Sequence, residues 1–171
     1  LLFNGIGQGS LIFWESYGIY AFYIAPRPVP LASWTFLALP LSWMLWLITI
    51  PLLLLLYPSN KLPSSRWKPI IWILAIDFTI TPILGLLSNS SVGWISVANP
   101  SALSGSAGQF VELITVVMVS ILFLILFASS ISLIFRALRS TGVERLQYKW
   151  FAYAASFLLL EFFIDFFFEL P

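Results

Sequence analysis

Several carboxylic acids interrupt stretches of the chain that are otherwise apolar. Glu15 and Asp77 lie near the middle of two stretches, and Glu161, Asp165 and Glu169 recur every four residues in another. At 100° per residue the last three share one face of a helix. Such acids could form a seam that responds to protons or cations. Alternatively, they are hydrogen-bonded carboxyls that serve packing, with Glu169 simply reaching water.

The composition indicates which environment surrounds these acids. The chain has 171 residues, of which 60% are hydrophobic and 9% are charged, whereas soluble domains carry about 25% charged residues. A soluble fold of this length could not bury so much apolar surface. We therefore expect a membrane protein. A charge at the bilayer centre costs at least about 2.5–3.5 kcal/mol, so these acids should face the interior of a helix bundle.

The chain offers little other chemistry. It has no Cys and no His, so it cannot form a disulfide and lacks the commonest metal ligand. We predict no metal site, no bound cofactor, no catalytic residue and no nucleic-acid partner. The segment "NGIGQG" (4–9) lacks the preceding strand that a phosphate-binding loop needs. We expect the Gly5-x-x-x-Gly9 spacing to allow close helix packing, or the segment to be a flexible end.

Five apolar runs approach the length of about 20 residues that a spanning helix needs. They are about 2–25, 31–57, 69–87, 109–138 and 150–170. Pro26, Pro28 and Pro30 separate the first two runs, because proline removes a backbone donor and ends helices. Pro40 and Pro51 lie inside the second run. The sequence thus predicts an all-α, polytopic transmembrane helix bundle with about five spans.

The cations are concentrated in alternate loops. One group is Lys61, Arg66 and Lys68, and the other is Arg136, Arg139, Arg145 and Lys149. The loop before the second span has only Arg27, and the loop before the fourth has no cation. Because cytoplasmic loops collect Lys and Arg, we predict that both basic loops are cytoplasmic. Their cations could also contact anionic lipid headgroups.

The second basic loop carries a helix-start signal. Thr141-x-x-Glu144 fits a capping box, in which the Thr hydroxyl and the Glu carboxylate each accept from an orphan backbone N–H. The fifth helix should therefore begin near Gly142, about two turns before it enters lipid at Trp150. Tyr148 is then expected at the level of the lipid headgroups.

Four segments of the chain resemble bacterial membrane sensor histidine kinases. "GVERLQYKWFAYAA" (142–155) is similar to their "GxERQQxKWxAxAA" segment, and "LLLLYPSNKLPSSRWKPIIW" (53–72) to "LLLLFPDGRLPSxRWRPVxW". A third similarity is to their third span, outer loop and Trp-rich next span, and it covers "YGIYAFYIAPRPVPLASWTFLALPLSWM" (17–44). A fourth is to their "NPxGxxG" outer loop, and it covers "NPSALSG" (99–105). The chain departs from these patterns at Ser59-Asn60 and at Leu146.

The resemblance implies a sensor region in the bacterial inner membrane that passes a signal to a cytoplasmic histidine kinase domain outside this chain. ATP and Mg would belong to that domain, a response regulator would be its partner, and the protein would act as a homodimer in the bilayer. The chain lacks the phosphoacceptor His, so we expect no enzyme activity in it. We expect it to be a piece of a longer protein, with an odd number of further spans after Pro171.

A second hypothesis is a small-solute or proton-coupled transporter or channel subunit built on the acids. Transporters often show internal repeats with paired broken helices. We identify one proline-broken run, the second, with no partner in a second half, and no Lys or Arg in the middle of a run balances the acids. These observations favour the sensor.

Overall fold

The computed structural model describes residues 2–58, 60–88 and 99–168. Within the last range, the side chains of 143–144, 158–159, 161–163 and 165–168 are not described. In this part of the chain the fold is all-α, with no strand. The helices are α1 (Leu2–Ile19), α2 (Thr35–Leu56), α3 (Lys68–Leu87), α4 (Gly105–Arg139) and α5 (Gly142–Phe168). The all-α prediction is confirmed.

The five helices correspond to the five predicted runs. A π-helical turn, Tyr20–Ile24, extends α1 up to the proline segment. Short 3₁₀ turns, Ala32–Trp34 and Ser65–Trp67, precede α2 and α3. Helix α2 continues through Pro40 and Pro51, and α3 contains Pro82 in its interior. The prediction of a single proline-broken run is therefore wrong.

Among the described residues, three helical segments are long and apolar enough to cross a membrane. They are Ala32–Leu56 with 25 residues, Ser65–Leu87 with 23 and Gly105–Arg139 with 35. About 20 residues are needed to cross the hydrocarbon core. Many of their large apolar side chains face outward, including Trp72 and Leu124. These features support a membrane protein.

The chain divides into two compact units. One contains the residues up to Thr49 together with Trp72–Leu122, and the other contains Ile50–Ile71 together with the residues from Phe123 onward.

In the first unit, α1 packs closely against α2 through a small residue. A Cβ atom on Gly7 would lie 2.6 Å from the backbone N of Trp46. Asn4 Nδ2 donates to the Trp46 carbonyl at 3.1 Å and to Thr49 Oγ1 at 2.9 Å. Gly5 and Gly9 have open space where a Cβ would be. Within the described residues, Gly5 and Gly9 therefore meet no other helix, and Gly7 makes the close approach to α2.

Asn99 closes the C-terminal end of α3. Its Nδ2 donates to the carbonyls of Leu86 at 2.7 Å and Ser88 at 3.0 Å, and its Oδ1 accepts from the Ser101 N–H at 3.0 Å. The last carbonyls of a helix lack intrahelical donors, so these bonds satisfy groups that would otherwise be orphaned. Asn99 is the first residue of "NPSALSG", and this capping role explains the need for an amide there.

We expect Asn99→Ala to lower the free energy of unfolding by about 1.5 kcal/mol, because it removes the hydrogen bonds that the Asn99 amide donates to the carbonyls of Leu86 and Ser88. Denaturation by SDS in mixed micelles would measure this change. Ser101→Ala is the control, since it keeps the backbone N–H and should have little effect. Equal destabilisation by the two variants would contradict the capping role.

Candidate functional site

The second unit contains a cationic cluster at the end of α2. The guanidinium of Arg136, in the last turn of α4, donates from Nη1 to the carbonyls of Leu55 at 3.2 Å and Tyr57 at 2.7 Å. Its Nη2 donates to the carbonyl of Leu54. The C-terminal end of a helix carries partial negative charge and unpaired carbonyls, both of which favour a cation. One side chain of α4 therefore holds the carbonyl end of α2.

Two aromatic residues extend this cluster to α5. The Tyr148 ring lies 5.6 Å from Arg136 Cζ, within cation–π range. The Tyr57 ring stacks on Phe151, with 4.2 Å between centroids and 9° between planes, and meets the Tyr148 ring edge-on at 6.3 Å. We call Arg136, Tyr57, Tyr148, Phe151 and the three carbonyls the Arg136 clasp. It joins the end of α2, the end of α4 and the start of α5.

A tight turn brings α5 to the clasp. Helix α4 ends at Arg139, and the Ser140 N–H still bonds to the Arg136 carbonyl at 3.0 Å. Helix α5 begins at Gly142, whose φ of 64° is readily adopted only by glycine. The predicted helix start near Gly142 is thus confirmed. With only Ser140 and Thr141 between α4 and α5, a movement of one helix end must reach the other.

The residues predicted for the signal linker differ in their positions. Arg136 is half-buried at the centre of the clasp, whereas Arg139, Thr141, Arg145 and Lys149 are exposed. The side chain of Glu144 lies outside the described residues, so the capping box stays a prediction.

Tyr148 is buried against protein, with only 9% of its surface exposed. Its expected position at the level of the lipid headgroups stays a prediction. The ring is covered because it contacts Arg136 and Tyr57. The spacing of Tyr148 from Trp150 and Tyr153 suggests an interfacial belt and gives no sign of a contact with Tyr57, which lies far away in the sequence.

The predicted acidic seam is only partly within the described residues. Asp77 is fully buried in α3, and its Oδ1 accepts from Thr81 Oγ1 at 2.5 Å. Its Oδ2 is buried without a hydrogen-bond partner among the described atoms. Glu15 is half-buried in α1. The side chains of Glu161 and Asp165, and the whole of Glu169, lie outside the described residues.

We expect Thr81→Val to lower the free energy of unfolding by about 1 kcal/mol, because it removes the hydrogen-bond donor to a buried carboxyl. The control is Thr79→Val in the same helix, since Thr79 is exposed and donates only to the Ala75 carbonyl. SDS denaturation would compare the two. If Thr79→Val were the more harmful, the buried Asp77–Thr81 pair would have no role in stability.

Metal binding has no support in the described part of the chain. No group of three or more His, Cys, Asp or Glu side chains there comes together in a way that could hold a metal ion. The clasp offers the guanidinium donors of Arg136, together with the aromatic faces and phenol hydroxyls of Tyr57 and Tyr148.

Comparison with known proteins gives no match: no protein-family model, no curated protein and no solved structure matches the chain.

Proposed function

We propose that this chain is the multi-pass sensor region of a bacterial sensor histidine kinase in the inner membrane. It would pass a signal to a cytoplasmic kinase domain outside the chain. The observation that carries the proposal is the Arg136 clasp, which joins three helix ends. Through Arg136 it connects two of the segments that resemble these kinases, 53–72 and 142–155. ATP and Mg would be bound by the kinase domain, and the response regulator would contact that domain.

The clasp supports a mechanism of transmission. The guanidinium of Arg136 holds three carbonyls in a fixed direction, so a shift or rotation of the α2 end changes which carbonyls it reaches. Tyr57 lies directly beyond α2 and stacks on Phe151 of α5. A displacement of the α2 end would therefore move the first turns of α5. Coupling of this kind requires a structural element that has two alternative arrangements, and the equilibrium between them must depend on both of the coupled sites.

Autophosphorylation of the intact parent protein tests the proposal. In nanodiscs with ATP and Mg, we expect Arg136→Gln to change the basal rate of His phosphorylation several-fold, because the α2 end is released from α5. Arg139→Gln is the matched control, since Arg139 is an exposed cation in the same turn of α4. A parent protein without a kinase domain, or equal rates for both variants and wild type, would overturn the proposal.

A transport assay separates the alternative. Proteoliposomes that contain the chain should show no proton or small-solute flux above that of empty liposomes. A flux that Asp77→Asn abolishes would establish the transporter and exclude the sensor as the principal function.

The proposed orientation is tested by cysteine labelling, which the absence of native Cys makes direct. We expect Ser64→Cys and Ser140→Cys to react with a membrane-impermeant maleimide only from the cytoplasmic side, because their loops carry the cations. Ser104→Cys should react only from the outside. Reaction of Ser104→Cys and Ser140→Cys from the same side would refute the multi-pass arrangement.

A further inference from the structure

A cleft of about 310 Å³ lies between the last turns of α4 and the first turns of α5. Ile134 and Leu138 line it from α4, and Arg145, Lys149, Tyr153 and Ser156 line it from α5. From Arg145 to Ser156 the helix rises about 16 Å. Along α5 the cleft is lined first by two cations, Arg145 and Lys149, and then by two hydroxyl side chains, Tyr153 and Ser156. The α4 side of the cleft is apolar.

The two cations of the cleft are poorly placed for the stability of the helix itself. Arg145 and Lys149 are four residues apart, where like charges repel on a helix surface. Arg145 also lies in the first turn of α5, where the helix dipole favours negative charge. Both cations are exposed, and the Lys149 ammonium lies 5.9 Å from the centroid of the Tyr153 ring. An anion bound between Arg145 and Lys149 would offset their mutual repulsion.

We propose that this cleft binds one anionic phospholipid from the leaflet at this end of the helices. The phosphate lies between Arg145 and Lys149, the glycerol region faces the Tyr153 hydroxyl, and an acyl chain packs on Ile134 and Leu138. Charge complementarity selects an anionic headgroup, because a zwitterionic lipid brings its own cation. The apolar α4 side selects a lipid rather than a free phosphate. Topology alone needs cations somewhere in the loop and does not require them on one face of α5.

Native mass spectrometry of the purified chain tests this site. Incubated with phosphatidylglycerol, the chain should retain one lipid molecule, and with phosphatidylcholine it should retain far less. The double variant Arg145→Gln/Lys149→Gln should lower phosphatidylglycerol retention about 30-fold, as expected for two basic residues near an anionic headgroup. Lys61→Gln/Arg66→Gln, which removes two cations of the other basic loop, should leave retention unchanged. Equal retention of both lipids, or equal loss in both double variants, would overturn the proposal.

A charge-moved variant separates the cleft from general surface charge. Adding Leu146→Lys and Gln147→Lys to Arg145→Gln/Lys149→Gln restores the number of cations at exposed positions outside the cleft lining. We expect this variant to retain as little phosphatidylglycerol as the double variant. Recovery of wild-type retention would show that surface charge suffices and would refute a defined site.

A blocking variant and a soluble competitor complete the test. Ala152 lines the cleft, so Ala152→Trp should fill it and lower retention while both cations remain. Circular dichroism would verify that the variant keeps its helical content, and Ala154→Trp on the opposite face of α5 is the matched control. Wild-type retention in Ala152→Trp would contradict the site. Displacement of the lipid by millimolar glycerol phosphate would identify a free-anion site instead and refute the lipid proposal.

Discussion

Replacement of Arg136 by Gln is expected to lower the free energy of unfolding by about 3 kcal/mol. Three carbonyls at the end of α2 lose charged donors, and hydrogen bonds to charged groups contribute about 1.5–3 kcal/mol. The Tyr148 ring loses its cation as well, which is worth about 0.5–2 kcal/mol. A neutral amide could reach at most part of this set. SDS denaturation in mixed micelles would measure the loss.

Two further variants show which property of Arg136 matters. Arg136→Lys keeps the charge but not the planar fork, so it cannot serve three carbonyls at once and should recover only part of the stability. Arg139→Gln removes an exposed cation of the same helix turn and should change the free energy by no more than about 0.5 kcal/mol. Full recovery in Arg136→Lys would mean that the charge alone stabilises this region. Equal losses in Arg136→Gln and Arg139→Gln would contradict the clasp.

Local protection should report the same loss within α5. When Arg136 no longer holds the end of α2 and no longer contacts Tyr148, amide hydrogen exchange in the first turns of α5 should accelerate. Exchange in the middle of α4 should remain as in wild type. This pattern would distinguish release of the clasp from a general loosening of the second unit.

Much of the fold follows from two simple features of the sequence. Long apolar runs give the five helices, because backbone groups in lipid must bond within their own segment. Proline and polar clusters mark where the helices end, as at Pro26. The start of α5 at Gly142 agrees with the local signal Thr141-x-x-Glu144, whose capping bonds stay a prediction. These features need no knowledge of which helices meet.

The clasp could not be predicted, because it depends on partners that are remote in the sequence. Arg136 bonds to the Tyr57 carbonyl across 79 positions. A basic residue after an apolar run reads as a topology signal, and a tyrosine near two other aromatics reads as a lipid anchor. Arg136 and Tyr148 come into contact only because α2, α4 and α5 pack against one another. The hydrogen-bond partner of Asp77 could not be predicted either. The burial of Asp77 is expected from the sequence, but Thr81 is one of several hydroxyl residues that could donate to it.

The contact of Gly7 with α2 could not be predicted from the sequence either. Substitution of Gly7 is the second change for which we expect a large effect on stability. Three glycines alternate in "NGIGQG", and the standard small-residue spacing selects Gly5 and Gly9. Which glycine meets α2 depends on the rotation of α1, and that rotation is set by partners of α1 on the other helix. Asn4 bonds to Trp46 and Thr49, and Ser10 bonds to Ser42 at 2.8 Å. The face that carries Asn4 and Ser10 also carries Gly7.

We expect Gly7→Ala to lower the free energy of unfolding by about 2–3 kcal/mol. The new Cβ would lie 2.6 Å from Trp46 N, 2.9 Å from Trp46 Cα and 3.0 Å from the Leu45 carbonyl carbon. These are backbone atoms that cannot rotate away, so α1 must move outward and weaken the Asn4 hydrogen bonds. Overpacking of this kind typically costs about 1–3 kcal/mol.

Gly9→Ala supplies a control of opposite sign on the same helix. Its Cβ meets nothing within 4 Å, and alanine favours a helix over glycine by up to about 1 kcal/mol. We therefore expect Gly9→Ala to raise the free energy of unfolding and Gly7→Ala to lower it, both measured by SDS denaturation of the same preparation. Because the two substitutions are chemically identical, a difference in sign reports only the contact with α2. If both variants were stabilised, α1 would not approach the backbone of α2 at Gly7, and the rotation assigned to α1 would be wrong.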